Sequence, residues 1–182
     1  MFICGGCLSW NVLLLVTSII KPLVRDVVLS LSSLLKAESE KIGDYEVIKN
    51  LELSLRNLIV AKLLELTEKW WIERIPSDVR ENAEKRMRKE ESIWPWMSAE
   101  ERDYPIAYIN FSDYSKIILR RDNWRDVFKY VFKDEDFIRA RLKELEYIRN
   151  KVMHFRSLSR DEKGKLLIYA REVMRCIDEA LG

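Results

Sequence analysis

Along most of the chain apolar residues recur at steps of three and four, the period of a helix that buries one face. Val24, Val27, Val28, Leu31, Leu34 and Leu35 mark one such stripe, with Pro22 suited to its first turn. Asp44 can cap a longer helix in which Val47, Ile48, Leu51, Leu55, Leu58, Ile59, Lys62 and Leu66 keep the same period up to Trp70 and Trp71. Pro76-Ser77-Asp78 ends one element and caps the next, a highly charged helix over about Val79 to Glu91. Ile93-Trp94-Pro95-Trp96 and Tyr104-Pro105 then bracket an irregular stretch in which aromatic rings, rather than periodicity, supply the packing.

The pattern resumes at Phe111-Ser112-Asp113, which opens a short helix through Ile117, Ile118 and Leu119. Asn123 is expected to cap another, with Trp124, Val127, Phe128, Val131 and Phe132 on its inner side. Asp134 begins a helix with acidic residues in its first turn and an inward stripe of Ile138, Leu142, Leu145, Ile148 and Val152, running to about Phe155. Ser159 and Glu162 form a capping box for the last helix, which turns Leu166, Leu167, Ala170, Val173, Met174 and Ile177 inward. No strand run and no internal repeat interrupts this series, so the fold class is all-α. A length of 182 residues suits one domain. The chain divides into an apolar N-terminal helical extension, residues 1–40, and a helical bundle, residues 41–182.

Composition refines this picture. With 48% apolar and 34% charged residues the chain is neither disordered nor low in complexity. Lys and Arg number 32 against 30 Asp and Glu, which excludes sequence-blind, histone-like binding to nucleic acid and confines any polyanion site to a local patch. Abundant Lys, Arg and Glu without a single Gln is the pattern of a chain from a hot environment. The first twenty residues carry no charge, a stretch short of a membrane span and diluted by Ser9, Asn11, Thr17 and Ser18. A buried helix or dimerisation arm explains it better than membrane contact. Three cysteines cannot all pair within one chain, so a reducing cytoplasm is expected. Cys4 and Cys7 have the spacing of half a zinc site, but no second pair follows, and neither a metal nor another cofactor is expected.

The chain has one histidine, His154, so acid-base chemistry of that type falls there or on a carboxylate. It closes the run Arg149-Asn150-Lys151-Val152-Met153-His154. That run resembles the Arg-polar-x-x-x-His signature of the HEPN superfamily. Leu51 to Ile59, the Trp70-Trp71 pair, Tyr108 to Tyr114 with Ile117 and Ile118, and Asn123-Trp124 with Val127-Phe128 are similar to HEPN domains of the Swt type. The resemblance covers about Asp44 to Arg160 and the last helix.

It implies a HEPN-like bundle, a homodimer, and metal-independent cleavage of RNA by its own 2′-hydroxyl, in RNA processing, a toxin or defence. Arg149, Asn150 and His154 would be the catalytic residues. It also brings an antitoxin or a nucleotidyltransferase partner into view, although Arg156 stands where the modified tyrosine of some HEPN toxins would be. The competing reading is a non-catalytic HEPN module that binds RNA, a nucleotide or a partner protein.

Helix geometry bears on both readings. Asn150 and His154 lie about 40° apart on an ideal helix, whereas Arg149 and His154 differ by about 140°. Arg149 projects into the stripe of Leu145, Ile148 and Val152, a costly place unless a carboxylate such as Glu52 or a second subunit meets it. Residues 137–160 hold seven basic side chains against Glu144 and Glu146, net +5. Arg141, Lys151 and Arg156 from this stretch, with Arg120, Arg121 and Arg125 just upstream, are the candidate RNA contacts.

Overall fold

The computed structural model describes residues 43–98 and 104–182. The N-terminal extension, the Val24 to Leu35 stripe and the Cys4/Cys7 pair lie outside the described residues. In chain order the elements are α1 (43–64), α2 (Trp70–Glu73), α3 (Ser77–Ile93), a 3-10 turn (Pro105–Tyr108), α4 (Phe111–Ile118), α5 (Arg121–Asn123), a π-helical turn (Trp124–Phe128), α6 (Lys129–Phe132), α7 (Glu135–Met153) and α8 (Arg160–Leu181). No strand occurs among the described residues, and none of their helices is long and apolar enough to cross a membrane.

The stripes predicted from periodicity form the core. Ile48, Leu51, Leu55, Leu58, Ile59 and Leu63 of α1 are buried with Ile138, Leu142, Leu145, Ile148 and Val152 of α7 and Leu166, Ala170, Val173 and Ile177 of α8. Tyr114, Ile117 and Ile118 of α4 join them. Burial of each such side chain is worth about 1.5–3 kcal/mol, so three long stripes meeting in one cluster account for the bundle. Leu167 departs from expectation and is 50% exposed. It lies about 90° off the axis of the α8 stripe, too far round the helix to reach the core.

Two boundaries and the packing of one aromatic stretch differ from the pattern. The first helix does not continue to the tryptophan pair: α1 stops at residue 64, where the stripe gives out, and the Thr67 hydroxyl accepts the Lys69 N–H at 3.2 Å in a local turn. Trp70 and Trp71 then meet edge to face in α2. Asn123 caps nothing. Helix has already begun at Arg121, and the buried Asn123 amide donates to Arg74 O at 2.9 Å and Ile117 O at 2.8 Å, tying the end of α2 to α4. Of the rings in the aromatic stretch Tyr108 packs against the core, its hydroxyl donating to Glu90 and its carbonyl accepting from Arg86, while Trp94 and Trp96 meet edge to face. Trp94, Trp96 and Tyr104 are exposed.

Candidate functional site

α7 and α8 run antiparallel, joined by the short segment 154–159. Arg141–Glu172 (2.6 Å), Lys165–Glu144 (3.3 Å) and Lys151–Glu162 (2.7 Å) cross between them in opposite sequence order, as antiparallel neighbours require. Two predicted RNA contacts are therefore engaged in holding helices together. Arg141 also lies over the rings of Phe137 and Tyr169. Lys151 meets the carboxylate of Glu162, which in turn accepts the Ser159 N–H and completes the expected capping box. That contact with Lys151, reinforced by the Ser159 backbone, holds the Glu162 carboxyl down to about 2.

The end of α7 has its own geometry. Phe155 N–H reaches Val152 O and Arg156 N–H reaches Lys151 O, both at 2.9 Å, the pair of bonds that closes a helix in a Schellman motif. His154 is the C-cap, with φ −96° and ψ 18°, in the bridge region where active-site residues often sit. The left-handed position after it falls to Phe155, φ 53°, where glycine is the usual occupant and a side chain costs roughly 1–2 kcal/mol. Residues 153–157 all face solvent. Among the described residues, no side-chain partner holds the His154 imidazole.

Arg149, one turn back, is held on several sides. Its Nε donates to Glu52 of α1 at 2.9 Å, and one terminal nitrogen reaches the Asn150 Oδ1 at 3.4 Å. Glu52 also faces Arg56 at 3.5 Å, and the Arg56 Nε donates to the Tyr114 hydroxyl at 3.0 Å. Glu52 retains only 13% side-chain exposure and Arg149 26%. Burial pushes the Tyr114 phenol up to about 12, so it remains a neutral hydroxyl. These groups floor a cavity of about 280 Å³ lined by Tyr45, Lys49, Glu52, Arg56, Arg149 and Met153 among others. Its lining holds three cations, Lys49, Arg56 and Arg149, against the single carboxylate Glu52, with Lys49 also paired to Glu46 at 3.3 Å. Glu52 was expected as a partner of Arg149, whereas Lys49 and Arg56 were not anticipated, although with Tyr45 and Glu52 their spacing follows one face of α1.

The upstream basic cluster lies elsewhere. Asp126 shares a pocket with Lys62, Glu65 and Leu66 near the far end of α1, about 15 Å along that helix from Glu52. Arg125 pairs with Asp126 at 2.7 Å and Arg120 with Asp122 at 2.9 Å. Arg121 is exposed. Among the described residues, Arg156 is the one predicted RNA contact that stands unpaired beside the end of α7.

A helical bundle with an Arg-Asn-x-x-x-His run at the end of one long helix fits a HEPN domain. The chain belongs to the Swt1-like HEPN family, whose model matches residues 46–178. No curated protein and no solved structure matches it.

Proposed function

We propose that this protein is a metal-independent endoribonuclease that works as a homodimer. The observation that carries the reading is the contrast within one helix end: Arg149 is fixed by Glu52 and Asn150, whereas His154 projects free into solvent. A structural pair alone would explain Arg149. The helix dipole at the α7 C-cap gives the exposed imidazole a structural role as well, and proton transfer gives it a chemical one.

In the proposed reaction the 2′-oxygen of a ribose attacks the adjacent phosphorus, and the bond from phosphorus to the 5′-oxygen of the next nucleotide breaks. One fragment ends in a 2′,3′-cyclic phosphate and the other in a 5′-hydroxyl. A neutral His154 takes the proton from the 2′-hydroxyl, and the protonated imidazole of a second subunit delivers one to the departing 5′-oxygen. Arg149 binds the phosphate and offsets the charge that grows on its free oxygens, while Asn150 keeps the guanidinium oriented. Arg156, exposed next to the cap, adds a phosphate contact.

Incubation with single-stranded and structured RNA in the presence of chelator tests this. Products should carry cyclic-phosphate ends, and His154→Ala should lower the rate by about 10²–10⁴-fold, the usual worth of a general acid or base. Absence of cyclic-phosphate product, or undiminished cleavage by His154→Ala, would leave a binding module in place of a nuclease.

A further inference from the structure

We propose that Phe155 is a stacking platform for an unpaired nucleobase, which commits the neighbouring site to single-stranded RNA. The inference rests on the ribonuclease reading and extends it to substrate class. Phe155 is 82% exposed, an unusual setting for a large apolar ring. Its backbone is held left-handed at φ 53° by the hydrogen bonds that end α7. Glycine would relieve that conformation, so a phenyl ring there is kept against local preference and points to a use outside the fold.

Its surroundings indicate the kind of partner. His154 precedes it, Arg156 follows, both exposed, and Arg149 lies within the last turn of the same helix. An aromatic ring beside a phosphate-seeking guanidinium is an arrangement by which proteins hold single strands, bases on rings and backbone on charge. Of its exposed neighbours in the chain, His154, Arg156 and Ser157 are polar and only Met153 is apolar, a poorer apolar surround than a subunit interface supplies. Paired bases are stacked within their own helix and cannot lie on Phe155. A strand whose base rests on this ring passes His154 and Arg156, its immediate neighbours in the chain, as cleavage near that nucleotide demands.

Phe155→Gly is an informative variant because it relaxes the helix end and should melt about 2–4 °C higher than the wild type. Binding is read by fluorescence anisotropy with short 2′-O-methyl RNA, whose blocked 2′-oxygens prevent cleavage, and with the corresponding duplex. Phe155→Gly should bind the single strand about tenfold more weakly, with duplex affinity unchanged and sedimentation like the wild type. Phe155→Trp should bind the single strand at least as tightly as the wild type. Equal single-strand affinity for Phe155→Gly and wild type overturns the proposal, and so does a lighter sedimenting species, which would make Phe155 a subunit contact. If the wild-type chain binds the single strand through Phe155 but does not cleave, the platform stands and the nuclease reading falls. If it neither binds nor cleaves, both fall.

Discussion

Glu52 is the residue on which the site turns, because one carboxylate serves two guanidinium groups, Arg149 at 2.9 Å and Arg56 at 3.5 Å. Glu52→Gln keeps the shape but leaves two half-buried cations facing each other with no counter-charge. The variant should lose about 1–3 kcal/mol of stability in denaturant unfolding, the cost of a buried charged group stripped of its partner. If the pair acts as a unit, the loss should shrink in an Arg149→Ala background, giving a coupling of about 0.5–3 kcal/mol in the double-mutant cycle. Additive losses would mean that Glu52 supports the bundle without positioning Arg149. Much of this was readable beforehand: the position of Arg149 on an apolar stripe demanded a partner, and Glu52 occupies a matching face of α1. The Arg56–Tyr114 extension was not readable, since it depends on how α4 docks against α1, and no local pattern encodes that angle.

At the scale of elements, the helices that periodicity located are those with long stripes and side-chain caps. α7 starts at the Asp134 cap and α8 at the Ser159–Glu162 box, both as expected. The misplaced boundaries are those decided by tertiary contact: α1 ends where nothing remains to bury its stripe, and Asn123 serves carbonyls from two other segments instead of a helix end. The α7–α8 junction also carries a pH dependence. The Glu162 carboxyl, held at about 2 in the folded chain by Lys151 and by the Ser159 backbone, rises to an ordinary value near 4.5 on unfolding. Its folded value is depressed, so its contribution is present above about pH 4.5 and is lost as pH falls towards 2. Glu162→Gln keeps an oxygen for the Ser159 N–H but not the charge for Lys151. The variant should be less stable than wild type at neutral pH in denaturant titrations, and the gap should close between pH 4.5 and 2. A gap independent of pH would show that the cap, rather than the ion pair, supplies the stability.

For the whole molecule, net charge near zero conceals an uneven distribution. Seven basic residues fall within residues 137–160, but they are spread along α7, Arg141 and Lys151 are bound to α8, and the Arg120 to Arg125 cluster sits at the other end of α1. What remains at the α7 terminus is a small site: Arg149, Arg156, the cationic cavity on α1 and one imidazole. RNA cleavage by internal attack needs a proton taken and a proton given, and the chain has one histidine. If both roles belong to imidazole, two chains must meet with their α7 termini facing one cleft. Mixing wild-type protein with increasing His154→Ala protein, after subunits have exchanged, tests that arithmetic. A cleft that needs both imidazoles loses activity as the square of the wild-type fraction, because mixed dimers are inactive. Sites complete within one chain lose it linearly, and a linear decline would transfer the second proton to a group other than the partner's imidazole.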